Sequence, residues 1–276
     1  TLDRSSAASD VYKRQTMHLQ TIRDIDAFDN THRDALSRLW FLGDVHGDFR
    51  HIGLALQRLQ PMVTPRWLVF LGDLEIFDRS LGEIIAPLHA AFPSTRVAFI
   101  HGNHDADEHE NWERLHDAGD AVPLHGQVVE LDGVKVAGLG GNFLGRVWSP
   151  PEAPKIAGRQ EATYRHPNLV KRGQRHAPSL NGAIYKGEVD ALARLDADIL
   201  VTHEAFSCHH HGWEALDQLA RDLQVARAFH GHTHDDRTDQ YREHRERLGF
   251  EAVAVNFRCI KNGLGAQVFN FVGGAS

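Results

Sequence analysis

The chain has 276 residues, of which 42% are hydrophobic and 24% charged, the composition of a globular protein with a substantial core. Its formal net charge of −7 disfavours general attraction to nucleic acids or membrane surfaces, so neither is the expected partner. No apolar run approaches the roughly 20 residues that span a bilayer. Cys208 and Cys259 are too few for a disulfide framework, and the composition therefore predicts a cytoplasmic protein.

Residues 1–16 are polar, lack periodicity and end just before Met17. We interpret them as a non-native leader or cloning remnant and leave them out of the fold prediction. We expect a single domain over residues 17–276.

Five short apolar runs predict strands that each end in a polar cluster. They cover residues 39–47, 66–73, 96–105, 198–205 and 226–234. Their continuous apolar character is typical of strands that are covered on both faces. Segments with helical spacing lie between them. Ser80 with Glu83 matches a capping box, and residues 107–110 offer a second signal for the N-terminus of a helix. The alternation predicts βαβ units, followed by two strands at 251–257 and 265–272.

The segment 142–182 has a different composition. It holds five of the ten prolines, and seven Lys or Arg residues against two Glu. We consider it a basic, Pro-rich insertion. It is either a long solvated loop or a basic lid near an anionic substrate.

Potential metal ligands follow all five predicted strands. They are Asp44, His46, Asp73, Asn103, His203, His232 and His234. The carboxyl ends of parallel strands meet at one edge of a sheet, where ligands bind. Carboxylate, imidazole and amide ligands without a cysteine suit Mn, Fe, Zn, Ni or Co and exclude a thiolate zinc site. Seven ligands are too many for one tetrahedral ion, which predicts a pair of divalent ions and an anionic substrate such as a phosphate ester.

These clusters resemble the signature blocks of calcineurin-like metallophosphoesterases, and they occur in that family's order. The blocks are GDVHG (43–47), GD (72–73), GNHD (102–105), THE (202–204) and GHTH (231–234). The resemblance implies a four-layer αββα sandwich with two mixed β-sheets and a dinuclear metal site at the carboxyl ends of the strands. Manganese is the ion expected in vitro, with iron, zinc, nickel or cobalt as alternatives.

The resemblance also implies a role for each matching residue. Asp44, His46 and His234 would hold the first metal, and Asp73 would bridge the pair. Asn103, His203 and His232 would hold the second metal. His104, paired with Asp105, would be the catalytic histidine that protonates the leaving group, while a metal-bridging hydroxide attacks phosphorus. The expected substrate is a small phosphomonoester or phosphodiester.

Two other functions remain open: a nuclease-type phosphodiesterase that uses the basic insertion, and a non-catalytic scaffold that binds a protein partner. Arg79, Arg146, Arg165 and Arg175 are the candidates for holding phosphate. Asp78 and Arg79 follow Asp73 later than the Asp-Arg pair of the protein-phosphatase branch, which places the role of Arg79 in doubt. We interpret Glu75 as exposed. The run His209–His211 is either a solvated loop or a contact for substrate.

Overall fold

Two β-sheets pack face to face between layers of helices in the computed structural model, which describes residues 25–59, 64–165 and 178–270. The strands are β1 (Leu39–Leu42), β2 (Trp67–Phe70), β3 (Arg96–Phe99), β4 (Val122–Pro123), β5 (Gln127–Leu131), β6 (Val134–Leu139), β7 (Ile199–Thr202), β8 (Arg227–His230), β9 (Glu251–Ala254), β10 (Cys259–Asn262) and β11 (Gln267–Asn270). One sheet has the order β11-β10-β1-β2-β3-β4 and the other β5-β6-β7-β8-β9. Each mixes parallel and antiparallel pairs. The predicted αββα sandwich is confirmed.

Helices connect the parallel strands and lie on the outer faces. They are α1 (25–38), α2 (Arg50–Leu59), α3 (Leu81–Ala91), α4 (His109–His116), α5 (Arg159–Arg165), α6 (Lys186–Leu192), α7 (Glu214–Asp222) and two short turns, α8 (Thr238–Tyr241) and α9 (Arg245–Leu248). The predicted capping box at Ser80 is present at the start of α3. The helix start predicted at 107–110 is not capped by a side chain, because α4 begins at His109 and the preceding Glu108 makes no capping hydrogen bond with its side chain.

The buried strands carry apolar side chains on both faces. In β1, Trp40 and Leu42 pack under the outer helices, whereas Leu39 and Phe41 belong to the core between the sheets. The rings of Phe41 and Phe229 stack across that core with centroids 3.9 Å apart. This double burial explains why the runs are continuously apolar instead of alternating.

The end of the chain differs from the sequence prediction. The segment expected to form one strand over 251–257 ends at Ala254, and β10 starts a new strand in the other sheet. The Lys261-Asn262-Gly263 stretch therefore joins β10 to β11, not β9 to a following strand. The prediction also missed the β5–β6 hairpin. Its signal was Asp132-Gly133, where both residues have positive φ, as a type I′ turn requires.

The described part of the 142–182 insertion is packed against the second sheet. Its buried apolar side chains are Phe143, Val147, Trp148, Ile156, Ala162 and Leu180. Arg159 pairs with Glu188 of α6 and donates to the Asn181 carbonyl at 2.6 Å. These apolar side chains are therefore not solvated, although others of the segment, such as Arg146, are exposed; residues 166–177 lie outside the described residues. No helix in the described ranges combines the length and apolar character needed to cross a bilayer.

Candidate metal centre

The seven predicted ligands come from loops of both sheets and converge at the carboxyl ends of the strands. Loops after β1, β2 and β3 supply Asp44, His46, Asp73 and Asn103; loops after β7 and β8 supply His203, His232 and His234. Strands β1 and β2 run parallel in the first sheet, and β7 and β8 run parallel in the second. The carboxyl ends of these strands meet at one edge of the sandwich. The centre therefore lies across the junction between the sheets.

Two groups of ligand atoms form within this centre. Asp44, His46 and His234 make one group, and Asp73, His203 and His232 the other, with the ligand atoms in each group within 4.8 Å of one another.

In the first group, His46 Nε2 and His234 Nε2 lie 3.1 Å apart, and His234 Nε2 lies 2.9 Å from Asp44 Oδ2. Asp44 is fully buried and accepts the backbone N–H of His232 at 3.0 Å.

In the second group, His203 Nε2 lies 3.0 Å from Asn103 Oδ1 and 3.4 Å from Asp73 Oδ2. The Leu71 carbonyl accepts a hydrogen bond from His203 Nδ1 at 2.8 Å. A carbonyl can only accept, so Nδ1 carries a proton. Nε2 faces the two oxygen atoms, to which a protonated ring donates, and a neutral ring would present its Nε2 lone pair to an ion bound there.

The electrostatics of this second group favour a cation. Burial opposes protonation of His203, but the carboxylates of Asp73 and Asp44 raise its pKa to about 10. Converging acceptors around one point create a field that attracts positive charge. A divalent ion satisfies the same field, so the donor set fits the metal pair that the resemblance implies.

Backbone strain is concentrated in these loops. The non-glycine residues with positive φ at the centre are His46, Asp73, Glu75, His232 and His234. Non-glycine residues rarely adopt this conformation, and such strain is typical of functional sites. It aims side chains of successive loop residues at one point.

Gly102 makes the close approach of the β2 and β3 loops possible. A Cβ atom at this position would lie 2.1 Å from Asp73 Oδ1 and 2.4 Å from the Asp73 backbone nitrogen. No side chain fits at those distances. The glycine of the GNHD block is therefore required by packing against Asp73.

The predicted pairing of His104 with Asp105 is wrong. Asp105 is buried and accepts the backbone N–H groups of Gly102 and Glu75, both at 2.8 Å. Burial and the nearby Asp73 carboxylate raise the pKa of Asp105 to about 7. Its role in these contacts is to hold the loops after β2 and β3 together.

His104 instead has Asp107 as its partner. His104 Nδ1 lies 2.7 Å from Asp107 Oδ2, and the His104 backbone N–H donates to Asp73 Oδ1 at 2.9 Å. Burial lowers the pKa of His104, but the hydrogen bond with Asp107 and the charge of Asp73 outweigh it, so the pKa is raised. Because Asp107 holds Nδ1, the ring presents Nε2 to a ligand.

Three residues of the centre were missed or misjudged from the sequence. Glu75 is not exposed: its side chain is 20% accessible, and Oε1 lies 3.1 Å from His46 Nδ1 and 3.7 Å from His104 Nδ1. Arg258 donates from Nε to the Val45 carbonyl at 3.1 Å and pairs with Asp48. Asp107 follows the GNHD block by two residues and Glu75 follows the GD block by two, which is a weak sequence signal for a place in the centre. Nothing near Arg258 in the sequence points to the centre.

The candidate phosphate-binding arginines are not joined to the metal centre by any contact described in the structure. Arg79 is exposed and lies 3.8 Å from Asp78, and Arg146 bonds to the Ser179 hydroxyl. Arg165 ends α5 and its side chain is outside the described residues, as is the whole of Arg175. In the histidine run, His209 is buried and its Nε2 lies 3.5 Å from Asp235 Oδ2, so a fully solvated loop is wrong for that residue.

Comparisons with known proteins find several similar chains. A protein of Haemophilus influenzae, itself uncharacterized, is 29% identical over 230 residues, which cover 82% of this chain and 93% of the relative. The structure of a phosphopantetheinyl hydrolase, PptH from Mycobacterium tuberculosis, matches 80% of this chain and 90% of its own with a TM-score of 0.43 and 15% identity. A further crystal structure matches 81% and 94% with a TM-score of 0.44 and 12% identity. Likenesses this distant say nothing about the substrate.

The family assignment rests on a match to a family model. The model of the calcineurin-like phosphoesterase family covers residues 37–236, which include every ligand of both metal groups. The chain belongs to the calcineurin-like phosphoesterase family.

Proposed function

We propose that this protein is a dinuclear-metal-dependent hydrolase of phosphoesters, with a small phosphomonoester or phosphodiester as its substrate. The observation that carries the proposal is the position of His104. Its ring lies beside the first ligand group, with a centroid 5.7 Å from that of His46, and Asp107 fixes its Nδ1.

Asp44, His46 and His234 would hold one ion, and Asn103, His203 and His232 the other, with Asp73 shared between them. When bound, the two divalent ions would supply Lewis acidity that activates water and stabilises charge on the phosphoryl oxygens. The protein side chains return only two negative charges, from Asp44 and Asp73, so the loaded centre stays positive and attracts an anionic ester.

His104 supplies the proton for the leaving group. With Nδ1 held by Asp107, the protonated ring offers its Nε2 proton to the oxygen that departs from phosphorus. Burial opposes the charge on this ring, but Asp107 and Asp73 outweigh burial and raise the pKa of His104, which favours the protonated form that donates. Asp105 takes no part in this transfer, and its backbone contacts keep the two loops in register.

The test uses the full chain, stripped of metal and reloaded with manganese. Hydrolysis of p-nitrophenyl phosphate is compared with that of bis(p-nitrophenyl) phosphate, which separates monoesterase from diesterase activity. In His104→Asn, kcat for an alkyl phosphate should fall about 100-fold or more, while kcat for the aryl ester falls far less, because nitrophenolate leaves without a proton. His89→Asn, an equivalent change on α3, is the control.

The rival functions predict different results. A nuclease-type phosphodiesterase would prefer the diester and would cleave a single-stranded oligonucleotide. A non-catalytic scaffold would bind two manganese ions and hydrolyse neither ester. Equal losses for alkyl and aryl esters in His104→Asn would contradict the proton-donor role.

A further inference from the structure

We propose that the exposed ring of Phe77 is the binding platform for the organic group of the substrate on the leaving-group side, and that this group is aromatic or otherwise apolar. The inference rests on the proposed hydrolase function, since it names the substrate class of that same site. It depends on four observations: the exposure of the ring, its contact with Gly47, its place two residues after Glu75, whose side chain contacts His104, and the exposed carboxylates nearby in the sequence.

Phe77 is unusually exposed for its type. Its accessibility is 58%, and the other large apolar side chains that are exposed in the described ranges are Leu54 at 42% and Leu195 at 43%. Isolated exposed apolar residues are common in globular proteins. The exposure of Phe77 therefore acquires meaning only from its location.

The ring lies against the backbone beside a metal ligand. A Cβ atom at Gly47 would lie 3.2 Å from Phe77 Cε2, and Gly47 has φ of +70°. Gly47 directly follows His46, and its N–H donates to the Leu74 carbonyl at 2.9 Å. One edge of the ring thus rests on the loop that carries His46, and the rest of the ring is open to solvent.

This location is on the leaving-group side of the centre. Glu75 Oε1 contacts both His46 Nδ1 and His104 Nδ1, and Phe77 lies two residues beyond Glu75 on the same loop. If His104 protonates the departing oxygen, the carbon attached to that oxygen extends past His104 along this loop. Phe77 is the exposed large apolar side chain of this loop, whereas Phe257, which packs on the rings of His46 and His234, is partly buried.

The charge on this side argues for an uncharged organic group. The carboxylates on this side of the centre are Glu75 beside His104, Asp107 with 59% side-chain exposure and Asp78, next to Phe77 in the sequence, with 82%. Arg79, the nearby cation, is 3.8 Å from Asp78. A second anionic group on the alcohol would be repelled, whereas an aryl ring gains by stacking on Phe77. Such stacking corresponds to a factor of about 2 to 10 in affinity.

The experiment measures binding of two phosphonates to the manganese-loaded full chain by calorimetry. Phenylphosphonate and methylphosphonate carry the same anionic head and differ in the organic group. We expect the wild type to bind phenylphosphonate about 5- to 10-fold more tightly. Phe77→Ala should bring the ratio close to one, and Phe77→Tyr should restore it. Leu195→Ala, at the opposite ends of the strands, is the matched control and should keep the wild-type ratio.

Each outcome decides something different. A wild-type ratio near one, or an unchanged ratio in Phe77→Ala, overturns the platform even if phosphoesters are hydrolysed. The expected ratios without hydrolysis of any ester support the platform and overturn the hydrolase function. Binding of neither phosphonate overturns both. A phenyl preference lost equally in Leu195→Ala assigns the effect to general destabilisation and contradicts the role of Phe77.

Discussion

His104 and Asp107 form a hydrogen-bonded pair at the mouth of the metal centre, with Nδ1 and Oδ2 separated by 2.7 Å. The two residues are three positions apart on a short 3-10 turn, His104–Ala106, and the Asp107 N–H donates to the His104 carbonyl at its end. The turn therefore places the carboxylate under the ring. Asp105, which lies between them in sequence, points to the backbone of Gly102 and Glu75 instead.

Asp107→Asn should weaken proton donation without removing the metals. An amide orients the ring less strongly and stabilises its charge less, so kcat for an alkyl phosphate should fall about 10-fold and kcat for an aryl phosphate should change little. Metal analysis checks that two ions remain bound. Asp120→Asn, which breaks the exposed His89–Asp120 pair of 3.1 Å, is the matched control. An equal fall in both variants would refute the role.

Asp105→Ala should destabilise the fold. The change leaves the N–H groups of Gly102 and Glu75 without their acceptor in a buried position, which costs about 2 to 3 kcal/mol of unfolding free energy. Urea unfolding of the metal-free protein measures it. Asp107→Ala, an exposed neighbour, should change stability by less than about 0.5 kcal/mol. If the two variants were equally stable, the structural role of Asp105 would be wrong.

Glu75→Gln should weaken manganese binding at the first site. Glu75 orients His46 through Nδ1 at 3.1 Å, and loss of a partner behind a metal-binding histidine typically lowers affinity 10- to 100-fold. Calorimetric titration of the metal-free protein should show one weakened step and one unchanged step. Asp78→Asn on the same loop serves as control. Two unchanged steps in Glu75→Gln would show that Glu75 does not position His46.

Two glycine substitutions should act in opposite directions. Gly102→Ala places a Cβ 2.1 Å from Asp73 Oδ1, which must move, so manganese binding and thermal stability should both fall. Gly53 lies within α2 and has open space around it. Gly53→Ala should therefore raise the unfolding free energy by about 1 kcal/mol. Differential scanning calorimetry of both variants measures the stability changes. Unchanged thermal stability and manganese binding in Gly102→Ala would contradict the packing described.

His51 should make stability depend on pH. It is almost fully buried, and burial lowers its pKa to about 4 from an ordinary value of 6.5, although the Asp48 carbonyl accepts from Nδ1 at 3.1 Å. A lowered folded-state pKa means that stability is complete above pH 6.5 and is lost as the pH falls toward 4. This loss amounts to about 3 kcal/mol.

His51→Gln removes the titration and keeps a polar group of similar size. In urea unfolding with EDTA present, which excludes metal loss as a cause, the variant should lose about 3 kcal/mol less than the wild type between pH 7 and pH 4. Parallel pH profiles of the two proteins would show that His51 does not contribute.

The fold class and the candidate metal ligands could be identified from the sequence alone. Each of the five apolar runs ends in a ligand because a strand buried on both faces must be apolar, and its polar residues can begin only where the strand leaves the core. That relation is local, so Asp44, Asp73 and His203 could be identified in order along the chain. The capping box at Ser80 was readable for the same reason.

The partners of those residues, by contrast, became visible in the folded structure. Whether Asp105 or Asp107 faces His104 depends on a single turn of backbone, which neither spacing nor composition fixes. Glu75 reaches His46 from a neighbouring loop, both residues having positive φ, and Arg258 reaches the Val45 carbonyl from the turn before β10, more than two hundred residues away in sequence. Such contacts arise because strands that are distant in sequence lie side by side in the first sheet, and packing is a property of the assembled chain rather than of any segment.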